Sequence, residues 1–172
     1  MSVQFLTGTP ALSTKAYIDR IRKLAKRVGP TCFKLRCRLP STGRVDIPVA
    51  ATDRLNLVLK AYASGGENAV HAHTAEDHAF VVLQGEATFF GRPGDPAVTI
   101  KKHEGILIPN GVFYKFKAGG DEQLVLLRVS AVLPGTWLDV DDTIGLNGRP
   151  LDSYSKENHE VPVTYSLRRY FS

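Results

Sequence analysis

Three of the chain's five histidines lie within eight residues, at His71, His73 and His78. Residues two apart in a β-strand share one face about 6.6 Å from each other, so the first two imidazoles can converge on one ion. Imidazole nitrogens bind divalent metals at about 2.0 Å. The residues after His73 are small or polar enough to turn the chain back, and we therefore predict that all three histidines bind one metal. One alternative is that His71 and His73 remain from a site that no longer binds a metal. Another is that His78 contacts a metal-binding residue instead of the metal, or is simply a residue on the strand face.

The other groups that could do chemistry give weaker signals. Five of them are interpreted as solvated or surface side chains: Glu67, Glu76, Asp77, His103 and His159. Cys32 and Cys37 would face opposite sides of one strand, which predicts reduced thiols rather than a disulfide. The sequence has no phosphate-binding loop, no nucleophile elbow and no CxxC pair, so phosphate-loop and serine-hydrolase chemistry have no support.

The elements that position the histidines read as short strands. Alternating residues at 33–39 and 55–61 indicate strands, and a loop containing Pro40, Gly43 and Pro48 separates them. Further strands are predicted at 78–84, 87–90, 97–101, 105–108, 112–116 and 123–132, with glycine-rich turns between several of them. Strands spaced by about 8 to 12 residues, without alternating helices, predict an all-β antiparallel sandwich or small barrel.

One helix is predicted before the strands, over residues 13–28. Ser13 is a suitable N-cap, Gly29-Pro30 ends the helix, and the apolar stripe consists of Tyr17, Ile18, Ile21, Leu24, Ala25 and Val28. Residues 15–27 carry six cations against Asp19 alone, whereas the chain as a whole has a net charge of +5. The favoured interpretation is an ordinary helix packed on a sheet; a membrane-surface or nucleic-acid helix would look similar. No aromatic residues or second basic block accompany the cations, so we predict neither a nucleic-acid nor a membrane partner.

These patterns suggest three regions: a helical extension at 1–30, a β-barrel at 31–138 and a polar tail at 139–172. The aromatic end of the tail is expected to pack on the barrel or on a partner subunit. The alternating strand at 33–39 would suit a homodimer. The absence of a signal-like N-terminus and of any apolar run near 18 residues predicts a cytoplasmic protein.

The histidine cluster lies within a pattern that resembles the cupin family. Gly65, five residues, His71, one residue, His73, four residues, His78, six residues and Gly85 follow the spacing of the first cupin motif, and Pro109-Asn110-Gly111 resembles the second. The resemblance covers roughly residues 54–131. It implies an antiparallel jelly-roll barrel with a divalent metal in its mouth: Fe, Zn, Mn or Ni.

Two positions depart from the family pattern. His78 occupies the place of the first motif's glutamate, and Tyr114 occupies the place of the second motif's histidine, with Ala118 at its asparagine position. Tyr114 is therefore a candidate ligand or proton donor, the alternative being an aromatic side chain that fills the barrel. A shell of neutral histidines leaves the metal's charge uncompensated and favours an anionic ligand.

The resemblance implies a metal-dependent enzyme that acts on a small carboxylate or enolisable carbonyl compound, of the dioxygenase, isomerase or lyase type. The alternative is a cupin that binds a small molecule in the barrel without catalysis. A regulatory protein that contacts nucleic acid through the basic helix ranks last.

Overall fold

The structure is a computed structural model that describes residues 5–63, 69–136, 142–155, 158–159 and 161–172. Gly65 and Glu67 lie outside the described residues. The first half of the described chain contains β1 (Leu6–Thr7), α1 (Thr14–Ala25), β2 (Phe33–Lys34), β3 (Cys37–Thr42), β4 (Arg44–Ala51), β5 (Leu55–Tyr62), β6 (His71–His73) and β7 (Glu76–Gln84). The second half contains β8 (Glu86–Phe90), β9 (Val98–Lys101), β10 (Gly105–Ile108), β11 (Lys115–Gly119), β12 (Leu124–Val132), β13 (Thr143–Gly145) and β14 (Thr164–Phe171).

The largest sheet has five antiparallel strands in the order β10-β7-β12-β5-β4. A second sheet has the order β11-β8-β9, and three strand pairs, β1-β2, β13-β6 and β14-β3, complete the described pairing. The predicted mostly-β architecture is confirmed. Closure of these sheets into a jelly-roll barrel stays a prediction.

The five-stranded sheet is covered on both faces. Its inner face packs on the three-stranded sheet around an aromatic cluster of Tyr62, Phe80, Phe89 and Phe116, with ring centroids 4.9–5.6 Å apart. Its outer face carries an aliphatic cluster to which β3 and β14 contribute: Cys37, Leu39, Val45, Ile47, Val49, Leu59, Ala61 and Val125, with Phe171 packed against it. Apolar residues on both faces bury the central strands and hold β7 and β12 in fixed register.

The prediction of a proline-containing loop between the first two strands is wrong. Residues 37–42 and 44–51 form β3 and β4, joined at Gly43, whose φ of +72° suits glycine. Pro48 is accommodated because β4 is an edge strand and its pairing with β5 shifts register between Pro48 and Ala50. An edge position with a bulge tolerates the missing N–H of proline.

Helix α1 covers Thr14–Ala25, and the Ser13 side chain accepts a hydrogen bond from Ala16 N at its start. The helix packs on β4 and buries Ile18, Ile21 and Leu24. It ends earlier than predicted, so Val28 is fully exposed rather than part of the apolar stripe. No helix in the described ranges is long and apolar enough to span a membrane.

The C-terminal region supplies two strands, where the sequence suggested an extended tail. β14 pairs with β3 of the same chain, and β13 pairs with β6, so residue Thr143 lies opposite His73. The predicted strand at 33–39 was expected to offer a free edge to a second subunit. In the structure, β14 of the same chain pairs with residues 37 and 38 of that segment. The homodimer and the boundaries at residues 30 and 138 stay predictions, although a cut at 138 would separate β13 from the histidine strand.

Candidate metal centre

His71 and His73 lie on the short strand β6, with Ala72 between them. Both imidazoles are buried, and their ring centroids are 5.2 Å apart. Backbone hydrogen bonds between His71 and Tyr114, 2.8 and 3.0 Å long, fix β6 on one side. Pairing with β13 fixes it on the other. The two histidines therefore lie close together on a strand that is held from both edges.

Glu76 and His78 project from the start of β7 and are 2% and 1% exposed. The prediction that Glu76 is a solvated loop charge is wrong, because β7 begins at Glu76 instead of His78. Alternation then places Glu76 and His78 on one face. Asp77 points the other way, and its Oδ1 accepts hydrogen bonds from the backbone N and Nδ2 of Asn110.

The structure brings His73, Glu76 and His78 into one group whose possible donor atoms lie within 4.8 Å of one another. Within this group, Glu76 Oε1 is 3.1 Å from His78 Nε2. Metal–nitrogen and metal–carboxylate distances near 2.0–2.2 Å allow one ion to contact donors spaced in this way. His71 lies beside this group but is not part of it. That His71 also binds the metal stays a prediction.

In each of the three clustered histidines, Nδ1 lies within hydrogen-bond distance of a protein oxygen. His71 Nδ1 is 2.8 Å from the Ala69 carbonyl oxygen, and His73 Nδ1 is 3.0 Å from Asp142 Oδ2. Carbonyl and carboxylate oxygens only accept, so these rings donate from Nδ1 and keep a lone pair on Nε2. A carboxylate behind an imidazole in this way is typical of metal-binding histidines, because it fixes the ring and its tautomer.

Glu76 is held as a carboxylate in a charged network. Its Oε2 accepts a hydrogen bond of 3.4 Å from Asn56 Nδ2, and Asn56 Oδ1 accepts one of 3.3 Å from Arg128. Burial alone would raise the pKa of Glu76, but the adjacent His78 ring and the charge of Arg128 outweigh it and lower the pKa. Glu76 is therefore ionised at neutral pH and brings one negative charge to the group.

His78 is neutral at the same pH. Its burial, reinforced by the charges of His73 and Arg128, lowers its pKa to about 3. Its Nε2 is buried and faces Glu76 Oε1 at 3.1 Å. The nitrogen of a neutral ring facing a carboxylate in this way fits a divalent cation between them.

Tyr114 is buried, and its hydroxyl is 2.9 Å from His78 Nδ1. The side chain points inward as predicted from the sequence, but Tyr114 precedes β11 and Val112 is exposed, so the predicted strand at 112–116 begins three residues too early. Burial raises the pKa of the phenol. The hydroxyl thus stays protonated and contacts the back of His78, which makes Tyr114 a positioning residue for that ring.

Replacing Tyr114 with phenylalanine is expected to weaken metal binding by about 10- to 100-fold, the usual cost of losing an outer partner of a metal ligand. The aromatic ring remains, so the unfolding free energy should fall by no more than about 1–2 kcal/mol. Metal titration and urea denaturation of the metal-free protein measure the two effects. Tyr170→Phe, at a half-exposed position, is the matched control. Unchanged metal affinity in Tyr114→Phe would show that Tyr114 only fills space.

Sequence reasoning missed Glu76, Asn56, Arg128 and Asp142. The first has a usable signal, since Glu76 and His78 have the two-residue spacing of one strand face. Asn56 and Arg128 also lie on alternating strands, at the inward positions of β5 and β12. Nothing in the sequence links Asp142 to His73, which lies 69 residues earlier.

A small cavity of about 60 Å³ adjoins the group and is lined in part by His71, His73, Glu76 and Tyr114. Helix α1 contributes Thr14, Tyr17 and Ile18 to its wall, and the C-terminal region contributes Asp142, Thr143, Leu151, Ser153 and Tyr154. A hydrogen bond from Thr14 Oγ1 to Asp152 Oδ1 joins the helix to the C-terminal region. The candidate centre is therefore enclosed by segments at both ends of the chain.

Comparison with solved structures identifies similar folds. The cupin domain of Schizosaccharomyces pombe Cnp3 is 17% identical, and the match covers 75% of this chain and 88% of that one with a TM-score of 0.53. An uncharacterized conserved protein with a double-stranded β-helix domain from Klebsiella pneumoniae is 20% identical, with coverages of 56% and 83% and a TM-score of 0.49. The DMSP lyase DddQ from Ruegeria pomeroyi is 20% identical, with coverages of 57% and 46% and a TM-score of 0.45.

No curated protein matches the chain significantly. Residues 58–130 match the Cupin_2 family, described as a cupin domain. This segment includes strand β6 with His71 and His73, the β7 residues Glu76 and His78, and Tyr114. The match identifies a cupin domain at residues 58–130, and the Cnp3 domain has a similar fold.

Proposed function

We propose that this protein is a metal-dependent enzyme that acts on a small carboxylate or enolisable carbonyl compound. The observation that supports it most directly is the buried group of His73, Glu76 and His78, whose donor atoms lie within 4.8 Å of one another. Two imidazoles and one carboxylate form a donor set found in Fe(II) oxygenases and in catalytic Zn(II) sites. Both kinds of site leave coordination positions open for substrate.

The protein's own residues prepare this site. Asp142 orients His73, Tyr114 orients His78, and Asn56 fixes the outer oxygen of Glu76. His71 lines the adjoining cavity, and because its Nδ1 faces the Ala69 carbonyl oxygen, its Nε2 can contact a ligand beside the ion. Phe80 and residues of α1 line the same space. A bound ion would supply Lewis acidity toward a substrate oxygen.

Metal analysis tests this proposal. Protein purified without chelator or nickel resin is expected to contain about one equivalent of Fe, Zn, Mn or Ni, or to bind one on titration after treatment with EDTA. Oxygen consumption with Fe(II), and isomerisation or lysis of small oxo acids with Zn(II) or Mn(II), then separate the reaction types. Protein that binds none of these ions would contradict the proposal and favour a cupin that binds small molecules without catalysis.

A further inference from the structure

The cavity beside the metal group contains three cationic side chains, Arg44, Lys60 and Arg128, which we call the cationic wall. All three are buried: Arg44 is 3% exposed, and Lys60 and Arg128 are each 6% exposed. They project inward from the three adjacent strands β4, β5 and β12 of the five-stranded sheet. Burying several like charges together is costly unless negative groups compensate them.

Three carboxylates also line the cavity, but two of them are engaged elsewhere. Glu76 faces His73 and His78, and Asp142 accepts hydrogen bonds from His73 and from the backbone N atoms of residues 74 and 75. Asp46 pairs directly with the cationic wall, its Oδ1 lying 2.8 Å from Lys60 Nζ, whereas Glu76 reaches Arg128 through Asn56. A divalent ion on Glu76 would commit that carboxylate further and leave the wall with an excess of positive charge.

The guanidinium group of Arg128 keeps an unused donor. Arg128 Nη2 donates to the Tyr17 hydroxyl and to Asn56 Oδ1, and Arg44 Nη2 donates to the Ser153 carbonyl oxygen. The Nε atom of Arg128 is buried and has no hydrogen-bond partner among the described residues. Guanidinium donors suit carboxylate oxygens, with which they form short charge-assisted hydrogen bonds.

We propose that the cationic wall binds the carboxylate of a small substrate whose reacting oxygen faces the metal. This inference rests on the proposed function, because it places the substrate between the wall and the ion. The excess charge favours a ligand with one carboxylate and a second oxygen group that can contact the ion, such as a short 2-oxo acid. One water molecule needs about 10–15 Å³ of such a cavity, so 60 Å³ suits a ligand of only a few heavy atoms.

Calorimetric titration with pyruvate and its neutral amide, pyruvamide, tests the wall. The wild-type protein is expected to bind pyruvate about tenfold or more tightly than pyruvamide, since a hydrogen bond to a charged group contributes at least this factor. Arg128→Lys keeps the charge but removes the planar guanidinium with its several N–H donors, and it should lose most of that selectivity. Arg54→Lys, at an exposed position, is the matched control.

The same titration on EDTA-treated protein separates this proposal from the metal proposal. Selectivity for pyruvate should persist there at a reduced level, because the guanidinium donors of the wall remain while the charge of the ion is gone. Equal affinities for pyruvate and pyruvamide, or no pyruvate binding at millimolar concentration, would overturn the inference. So would full selectivity in a folded Arg128→Lys protein. If that variant does not fold, Arg44→Lys and the wild-type comparison of the two ligands still decide the matter.

Discussion

Replacing His73 with alanine is expected to lower the affinity for Fe(II) or Zn(II) by roughly 100-fold or more. Loss of an outer partner already costs about 10- to 100-fold, and a direct ligand should cost no less. His73 is also the residue that couples the group to the C-terminal region, since its Nδ1 contacts Asp142. Competition with a chromogenic chelator measures the affinity, and circular dichroism checks that the strands remain.

His71→Ala provides the sharpest comparison, because His71 lies on the same strand but outside the group. It should lose less than about tenfold if His73, Glu76 and His78 hold the ion, given that it would then contact only the ligand beside the ion. His159→Ala, on the C-terminal region, controls for removal of a histidine elsewhere. Equal losses in His71→Ala and His73→Ala would instead support the three-histidine site predicted from the sequence. Wild-type affinity in His73→Ala would exclude this metal centre.

Strand positions were predictable where alternation and turn residues coincide. The strand at 105–108 has the predicted bounds, and those near 55–61 and 87–90 differ by one residue at an end. The interpretation of Pro40 and Pro48 as loop residues was wrong because tolerance of proline depends on where a strand lies in its sheet. The sequence does not reveal that β4 is an edge strand, since edge position follows from pairing between distant segments.

The candidate site was predictable only in part for the same reason. Spacing within β6 and β7 brings His73 and His78 together, since each strand places alternate residues on one face. Choosing between Glu76 and His71 requires the point at which β7 starts, and a shift of two residues turns a loop charge into a buried carboxylate. The contact of Asp142 with His73 depends on how the C-terminal region pairs with β6, which no local pattern encodes.

Neutralising Asp46 is expected to destabilise the protein by about 3–5 kcal/mol, the usual cost of breaking a buried ion pair from one side. The carboxylate and Lys60 lie 2.8 Å apart with side chains 6% and 7% exposed, so water cannot compensate the charge that is left. Asp46→Asn keeps the shape and removes only the charge. Urea denaturation at pH 7 measures the change in unfolding free energy. Asp19→Asn, in the exposed pair with Lys15, should leave that free energy unchanged.

Acid should produce the same effect as the substitution. Burial would raise the pKa of Asp46, but Lys60 and Arg44 outweigh it and hold the pKa below its ordinary value of 3.8. The unfolded chain therefore binds a proton that the folded chain excludes, so this contribution is complete above about pH 5 and is lost as the pH falls through 4 and below. Asp46→Asn should show a shallower decline in stability over that range. In Asp46→Asn with Lys60→Met neither charge remains, and this double variant should be more stable than Asp46→Asn alone. A double variant no more stable than the single one would show that the charge of Lys60 is not the source of the loss.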